Sequence, residues 1–195
     1  MFKVKDHYYQ KAKNENYLAR SIYKLEEIDQ RFKLIKPGSL VLDLGYYPGS
    51  WVQYTVPKVG PQGRVVGIDI QPINKKLQFE NLTLFQKDIF DVKGPEDLAS
   101  DRHFDVVLSD MAPSTTGIKS TDQIRSLNLV ESVFGLLPVT LRPGGNFVIK
   151  VFESNDAQVF LKAQKNRFNE FHYLRPKSTR SVSKEFFVIG KSFKA

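Results

Sequence analysis

The stretch Ser39-Leu40-Val41-Leu42-Asp43-Leu44-Gly45-Tyr46-Tyr47-Pro48-Gly49-Ser50-Trp51 decides the fold. A short apolar run ends in an acid and a glycine, with turn residues on both sides. That pattern suits a central strand buried on both faces, as in a parallel sheet. The glycines that follow allow the backbone to pass close to a ligand before a helix over Trp51 to Val59. Upstream, Ile22, Leu25, Ile28 and Phe32 recur at three to four residues, which predicts one buried helix face between Ala19 and Phe32. Lys36-Pro37-Gly38 ends that helix, because proline removes a donor and glycine supplies the turn.

Downstream the pattern repeats in kind. Arg64 to Asp69 reads as a second strand, Leu82 to Phe85 as a third with Asp88 close behind, and Phe104 to Asp110 as a fourth. A helix is predicted over Thr121 to Leu141, with Ile124, Leu127, Val130, Phe134 and Leu137 on one face. Arg142-Pro143-Gly144-Gly145 terminates it. Asn146 to Val151 follows as the fifth strand, and Asn155 to Phe168 as another helix. Two late strands lie near Phe171–Leu174 and Glu185–Ile189. Strands alternating with helices imply a mostly parallel sheet covered on both faces. The 195 residues show no internal repeat and no low-complexity linker. One α/β domain over 1–195 is expected, with residues 1–36 a basic N-terminal helical extension.

At 41% hydrophobic and 26% charged residues the composition is that of an ordinary globular protein. The chain has no cysteine, which excludes disulfide scaffolds and thiolate zinc sites. No apolar stretch approaches the ~20 residues that span a bilayer. The opening MFKVKDHYYQKAK has no apolar core of a secretory signal. A cytoplasmic protein without a membrane partner is expected, although a removed organelle presequence would leave no trace. The net charge of +8 is unevenly placed. Residues 1–36 hold 9 Lys/Arg against 5 Asp/Glu, residues 162–195 hold 9 against 2, and the middle is mildly acidic. Basic ends suit RNA or DNA, whose phosphates release counterions when neutralised. A well-solvated basic surface that binds nothing fits the same counts.

In an open α/β sheet, ligands bind beyond the carboxyl ends of the strands where strand order reverses. That rule selects Asp43, Gly45, Asp69, Asp88, Asp110 and Lys150. A single acid at a strand end is usually a cap or turn residue. Four together repel one another unless they share a ligand or cation. The loop from Gly45 to Gly49 has G-x-x-x-G spacing, so it is not the G-x-G-x-x-G dinucleotide fingerprint. It also lacks the Lys-Ser/Thr of a phosphate-cradling loop. Asp69 stands 24 residues after Gly45, where an acid commonly takes ribose hydroxyls. A nucleoside-type cofactor without phosphates fits best.

These residues carry a resemblance that covers Asn14 to Ile189. The segments are Asn16 to Leu25, the glycine loop, Ser109-Asp110-Met111-Ala112-Pro113, Gly144 to Phe152, and Arg175-Pro176 through Ser181 to Ser183-Lys184-Glu185. In their order and spacing the sequence resembles the FtsJ-like, or RrmJ-type, family of S-adenosylmethionine-dependent RNA 2′-O-ribose methyltransferases. The resemblance implies a Rossmann-like seven-stranded sheet with an antiparallel last strand. It also implies a catalytic tetrad of Lys24, Asp110, Lys150 and Glu185, with Lys150 as proton acceptor. Gly49, Trp51, Asp69, Asp88 and Asp110 become the cofactor-binding residues, Asp69 at the ribose and Asp88 at the adenine amino group. The implied substrate is a uridine of large-subunit ribosomal RNA, methylated by a monomer.

The chemistry demands such a set, because a ribose hydroxyl must lose its proton as it attacks the methyl group. A lysine accepts that proton only when neutral; burial and a second cation favour this, while carboxylates oppose it. A neutral Lys150 acting as base and a charged Lys150 steering the hydroxyl both fit the sequence.

One departure stands out. The family has two small residues, usually Ala-Ala, where this chain has Tyr46-Tyr47. The two rings either turn away, stack on the ligand, or weaken its binding. The last outcome leaves a second reading open, a catalytically silent RNA-binding or ribosome-assembly protein on the same fold. RNA-contact candidates are His7, Tyr8, Tyr9 and Tyr17 interleaved with Lys3, Lys5, Lys11, Lys13 and Arg20, extended by Lys177, Arg180 and Lys184. His7, His103 and His172 lack ligand spacing, so no metal site is expected. Methylation of a base amine is disfavoured, since Asp110-Met111-Ala112-Pro113 lacks the aromatic residue that would hold a flipped base.

Overall fold

Every residue of strand β1, Leu40–Leu44, is buried, as a strand paired on both edges and covered on both faces requires. The computed structural model describes residues 7–113, 116–117 and 119–194. In it β1 pairs in parallel with β2 (Arg64–Asp69) on one side and β4 (Phe104–Ser109) on the other. β3 (Leu82–Gln86) extends the sheet beyond β2, and β5 (Leu141–Phe152) beyond β4, both parallel. The remaining strands are β6 (Phe168–Leu174) and β7 (Glu185–Phe193). β7 inserts between β5 and β6 and runs antiparallel to both. The order is β3-β2-β1-β4-β5-β7-β6, a Rossmann-like seven-stranded sheet whose direction of winding reverses between β1 and β4.

The pleat sends alternate side chains to two separate cores. Val41, Val65, Leu108, Val148 and Phe187 face α1 (His7–Asn14), α2 (Ile22–Phe32) and α3 (Ser50–Val59). Leu42, Leu44, Val66, Val107 and Phe147 face α4 (Lys119–Thr140) and α5 (Asn155–Gln164). A register irregularity between Phe104 and Val106 switches the parity of β4. It puts Phe104 in one core and Val106 in the other. Asp105, at that irregularity, accepts from Leu40 N (2.8 Å) and from Arg142 Nε (2.6 Å), which ties the starts of β1, β4 and β5 together.

Three expectations are corrected in detail. Ile124 is 59% exposed and not part of the buried face of α4. The first turns of that helix overhang a cleft, which Arg125, Asn128 and Leu129 line, and core packing begins near Leu127 and Val130. Residues 142–145 do not form a loop between helix and strand; β5 already begins at Leu141. Its ladder jumps from Phe104↔Leu141 to Val106↔Asn146, so the Pro-Gly-Gly segment is an insertion bulged out of the sheet. The helix starting at Asn155 ends at Gln164, and Phe168 belongs to β6. There its ring is buried between Phe147 (4.7 Å) and Phe193 (5.3 Å).

Candidate active site

A cleft of about 550 Å³ opens at the switch point, along the carboxyl ends of β1, β2 and β4. Asp69, Asp88 and Asp110 give it an acidic lining, and Ile70, Phe90 and Met111 give it apolar walls. Each acid is pre-oriented. Asp69 Oδ1 accepts from Gln71 N (2.8 Å) and Oδ2 from Tyr47 N (3.1 Å), leaving a lone pair on each oxygen. Asp88 caps the 3₁₀ turn Ile89–Asp91 by accepting from Phe90 N at 3.1 Å.

The glycine loop is built for close approach. Gly45 has φ +72°, and a Cβ there would lie 2.1 Å from Met111 Cγ, so only glycine fits. The two tyrosines after it diverge. Tyr46 turns away from the cleft; it is buried against Gly67, and its hydroxyl accepts from Asn74 N (3.3 Å). Tyr47 is 48% exposed and lines the cleft. Gly49 and Trp51 are not among the lining residues. Gly49 caps α3 at φ +116° with Leu77 packed against it. Trp51 lies on the inward face of α3; its Nε1 donates to Ser21 O (2.9 Å) and its ring sits 5.9 Å from Phe187. Trp51, with Ser50 Oγ 2.7 Å from Ser21 Oγ, locks the start of α3 onto the start of α2.

Lys24, Asp110, Lys150 and Glu185 converge beside the cleft on the face of the sheet that α2 covers. Lys150 on β5 pairs in register with Phe187 on β7, which puts Glu185 diagonally across from it. Lys150 Nζ lies 3.0 Å from Asp110 Oδ1 and donates to the Asp110 carbonyl. Lys24 reaches down from α2 to an ion pair with Glu185, its ammonium 5.7 Å from the Phe187 ring. Burial raises the pKa of Glu185, but the hydrogen bond and charge of Lys24 and the charge of Lys150 outweigh this and hold it below the usual range. Both ammonium groups therefore act on one carboxylate. The loop before β7 is tied to α2: Arg20 Nη2 donates to Ser178 O (2.6 Å), and Lys177 N to Glu27 Oε2 (2.8 Å).

Asp43 lies beneath this arrangement with both carboxylate oxygens buried and no hydrogen-bond partner among the described residues. Burial first, then the charges of Asp110 and Asp69, push its pKa well above the ordinary 3.8. A raised folded-state pKa contributes stability below the unfolded value and loses it as pH rises through the folded value. Asp43→Asn is therefore expected to stabilise the ligand-free protein at pH 8 by about 1–3 kcal/mol, the scale of an unsatisfied buried polar group. The gain should fade toward pH 4; equal gains in melting temperature at both pH values would refute this account.

Several lining residues were not singled out from sequence. Ile70, Phe90 and Met111 each directly follow a strand-end acid or its turn, and that adjacency is the signal that could have found them. At the N-terminus, Tyr8 and Tyr17 pack on Tyr23 (5.5 and 6.1 Å), and Lys11 lies 4.4 Å from the Tyr23 ring, whereas Tyr9 is exposed. Lys3 and Lys5 lie outside the described residues.

Comparison with known proteins agrees with this geometry. Ribosomal RNA large subunit methyltransferase E of Bdellovibrio bacteriovorus is 45% identical over 197 aligned positions, covering 99% of each chain. Its namesake in Syntrophobacter fumaroxidans is 46% identical over 190, covering 97% of this chain and 96% of that protein. The crystal structure of a ribosomal RNA methyltransferase from Plasmodium falciparum aligns with a TM-score of 0.79 and 26% identity, over 91% of this chain and 98% of that one. The family described as FtsJ-like methyltransferase matches residues 17–193. That match runs from the tyrosine ahead of α2 to the end of β7, taking in every strand and all four charged residues, and this chain belongs to the FtsJ-like methyltransferase family.

Proposed function

We propose that the protein transfers a methyl group from S-adenosylmethionine to a ribose 2′-hydroxyl of RNA, a uridine of the large ribosomal subunit. The observation that carries this reading is the double use of Asp110, which lines the cleft and also holds Lys150. The residues present fit the cofactor. About 550 Å³ with apolar walls suits an adenosine. Asp69 keeps acceptor capacity for ribose hydroxyls, and Asp88 for an amino group. The carboxylates of Asp69, Asp88 and Asp110 give the cleft a negative field that favours a cationic donor. When bound, S-adenosylmethionine supplies a methyl group made electrophilic by its sulfonium charge.

The chain's own residues do the rest. Lys150 Nζ orients the 2′-hydroxyl and, from its neutral amine form, takes the proton that the oxygen loses as it bonds to the methyl group and the methyl–sulfur bond breaks; Asp110 fixes the direction of the amine. Lys24 and Glu185 keep a second opposite charge pair beside it, so that the site stays electrically balanced where α2 covers the sheet. Tyr9 supplies a ring, and Arg20, Lys177, Arg180 and Lys184 supply cations, for the RNA. Among the described residues no helix is long and apolar enough to cross a membrane. A ribosomal RNA substrate suits work wherever ribosomes assemble, the cytoplasm or an organelle.

The test is transfer of labelled methyl from S-adenosylmethionine to large ribosomal subunits and to naked large-subunit RNA, with the modified nucleoside identified. A 2′-O-methyl nucleoside is expected. Label on a base overturns the reading, and absence of both label and cofactor binding by calorimetry favours the silent assembly protein instead. Within the same assay, Asp69→Ala is expected to weaken cofactor binding about tenfold or more, the scale of losing hydrogen bonds to a charged group, with RNA affinity unchanged.

A further inference from the structure

A second cleft, of about 800 Å³, opens between the start of α5, the end of β6 and the start of β7. It shares Glu185 with the tetrad, so it adjoins the proposed reaction centre. Its apolar surface comes from Val159, Tyr173 and Phe186. The Tyr173 ring is 52% exposed and lies 6.0 Å from that of Phe186. Around these rings stand three cations, Lys162, Arg175 and Lys184, against two carboxylates, Glu153 and Glu185, of which Glu185 is already paired with Lys24. Arg175 is held in place by donating to Ser181 O and Ser183 O of the loop that leads into β7.

We infer that this cleft is a second nucleotide subsite, which takes an unpaired nucleotide flanking the methylated one. The inference rests on the RNA reading above and extends it to the form of the substrate. An exposed ring beside a second aromatic offers a stacking platform, and the cations can follow the phosphates on either side of the stacked base. A base inside an A-form duplex hides its face in the stack, so such a platform serves only a splayed, single-stranded residue. A protein partner is a poorer match, because protein interfaces deplete charge at their centres and here three cations ring the apolar floor. The substrate is therefore a loop, bulge or junction rather than a continuous helix.

The experiment measures binding and methylation separately, with the full-length protein and both large ribosomal subunits and naked large-subunit RNA, using for the variants whichever the wild type methylates. Tyr173→Ala should weaken RNA binding and raise KM for RNA about tenfold, the effect of losing one stacked base. Cofactor affinity and kcat at saturating RNA should stay within about twofold, and Tyr173→Phe should behave as wild type. Lys162→Ala should lower the slope of log affinity against log salt by about one. RNA carrying 4-thiouridine next to the methylated position should cross-link within residues 155–186. If wild-type protein binds and methylates RNA but Tyr173→Ala does so with unchanged KM, the subsite is overturned and the methyltransferase reading stands. Wild-type protein that neither binds nor methylates either substrate overturns both.

Discussion

Lys150→Ala is expected to lower the rate of methyl transfer by about 10²–10⁴-fold, the range for removing a positioned acid–base group, and to leave cofactor affinity nearly unchanged. The separation follows from where the side chain lies. Lys150 sits in β5 behind Asp110, 9% exposed, and is not among the residues lining the cofactor cleft. Its loss removes the amine proposed to meet the hydroxyl and leaves Asp69, Asp88 and the glycine loop, to which it makes no hydrogen bond or ion pair, as they are. Lys150→Arg then distinguishes the two ways a lysine can act. Arginine keeps the charge and the bonds to a carboxylate but does not give up a proton in a protein. If Lys150 accepts the proton, arginine is as inactive as alanine. If it only steers the hydroxyl, arginine restores much of the rate. Turnover of Lys150→Ala near the wild-type rate, with fold and cofactor binding intact, would remove Lys150 from the mechanism.

The central sheet was legible because its strands are buried on both faces. β2 matches its expected bounds at both ends, and β1 and β4 match within a residue, since a continuous apolar run closed by an acid has few other solutions. Residues 142–145 were not legible. A Pro-Gly-Gly segment reads as a helix stop, and nothing local tells a stop from a bulge inside a strand that has already begun. Ile124 misled for a related reason: helical period identifies a face, but a cleft can take the place of a core beneath it.

The strand-end acids were found by a rule about parallel sheets, which gathers Asp69, Asp88 and Asp110 at one cleft without any contact being known. Lys24 and Glu185 obey no such rule. They meet across 161 residues because the loop before β7 is fastened to α2, and only the family resemblance brought them together in the sequence. Trp51, a cofactor-binding position by resemblance alone, lies on the inward side of α3 against Ser21 and Phe187. Tyr46 and Tyr47 could not be read alike either. A positive φ at Gly45 and the turn that follows send one ring into the core and the other to the cleft.

Glu185→Ala should cost about 3–5 kcal/mol, because it leaves the Lys24 ammonium buried without its partner. Both side chains are nearly enclosed, at 10% and 11% exposure, so solvent cannot take over the lost role. For a chain of 195 residues that corresponds to a fall in melting temperature on the order of 10 °C. Acid should remove the same contribution. Glu185 is held below its ordinary 4.5, so its stabilisation is present above that pH and drains away as pH falls below it. Thermal melts of wild type and Glu185→Ala should therefore converge toward pH 3 and stay apart at pH 7. The double variant Lys24→Met/Glu185→Leu separates stability from function, since a buried ion pair exchanged for apolar groups of similar size is often neutral or stabilising. Its melting temperature should return to near the wild-type value at pH 7 while methyl transfer stays low. A double variant that recovers turnover along with stability would show that the pair only holds α2 against β7, and that Asp110 and Lys150 suffice for the chemistry.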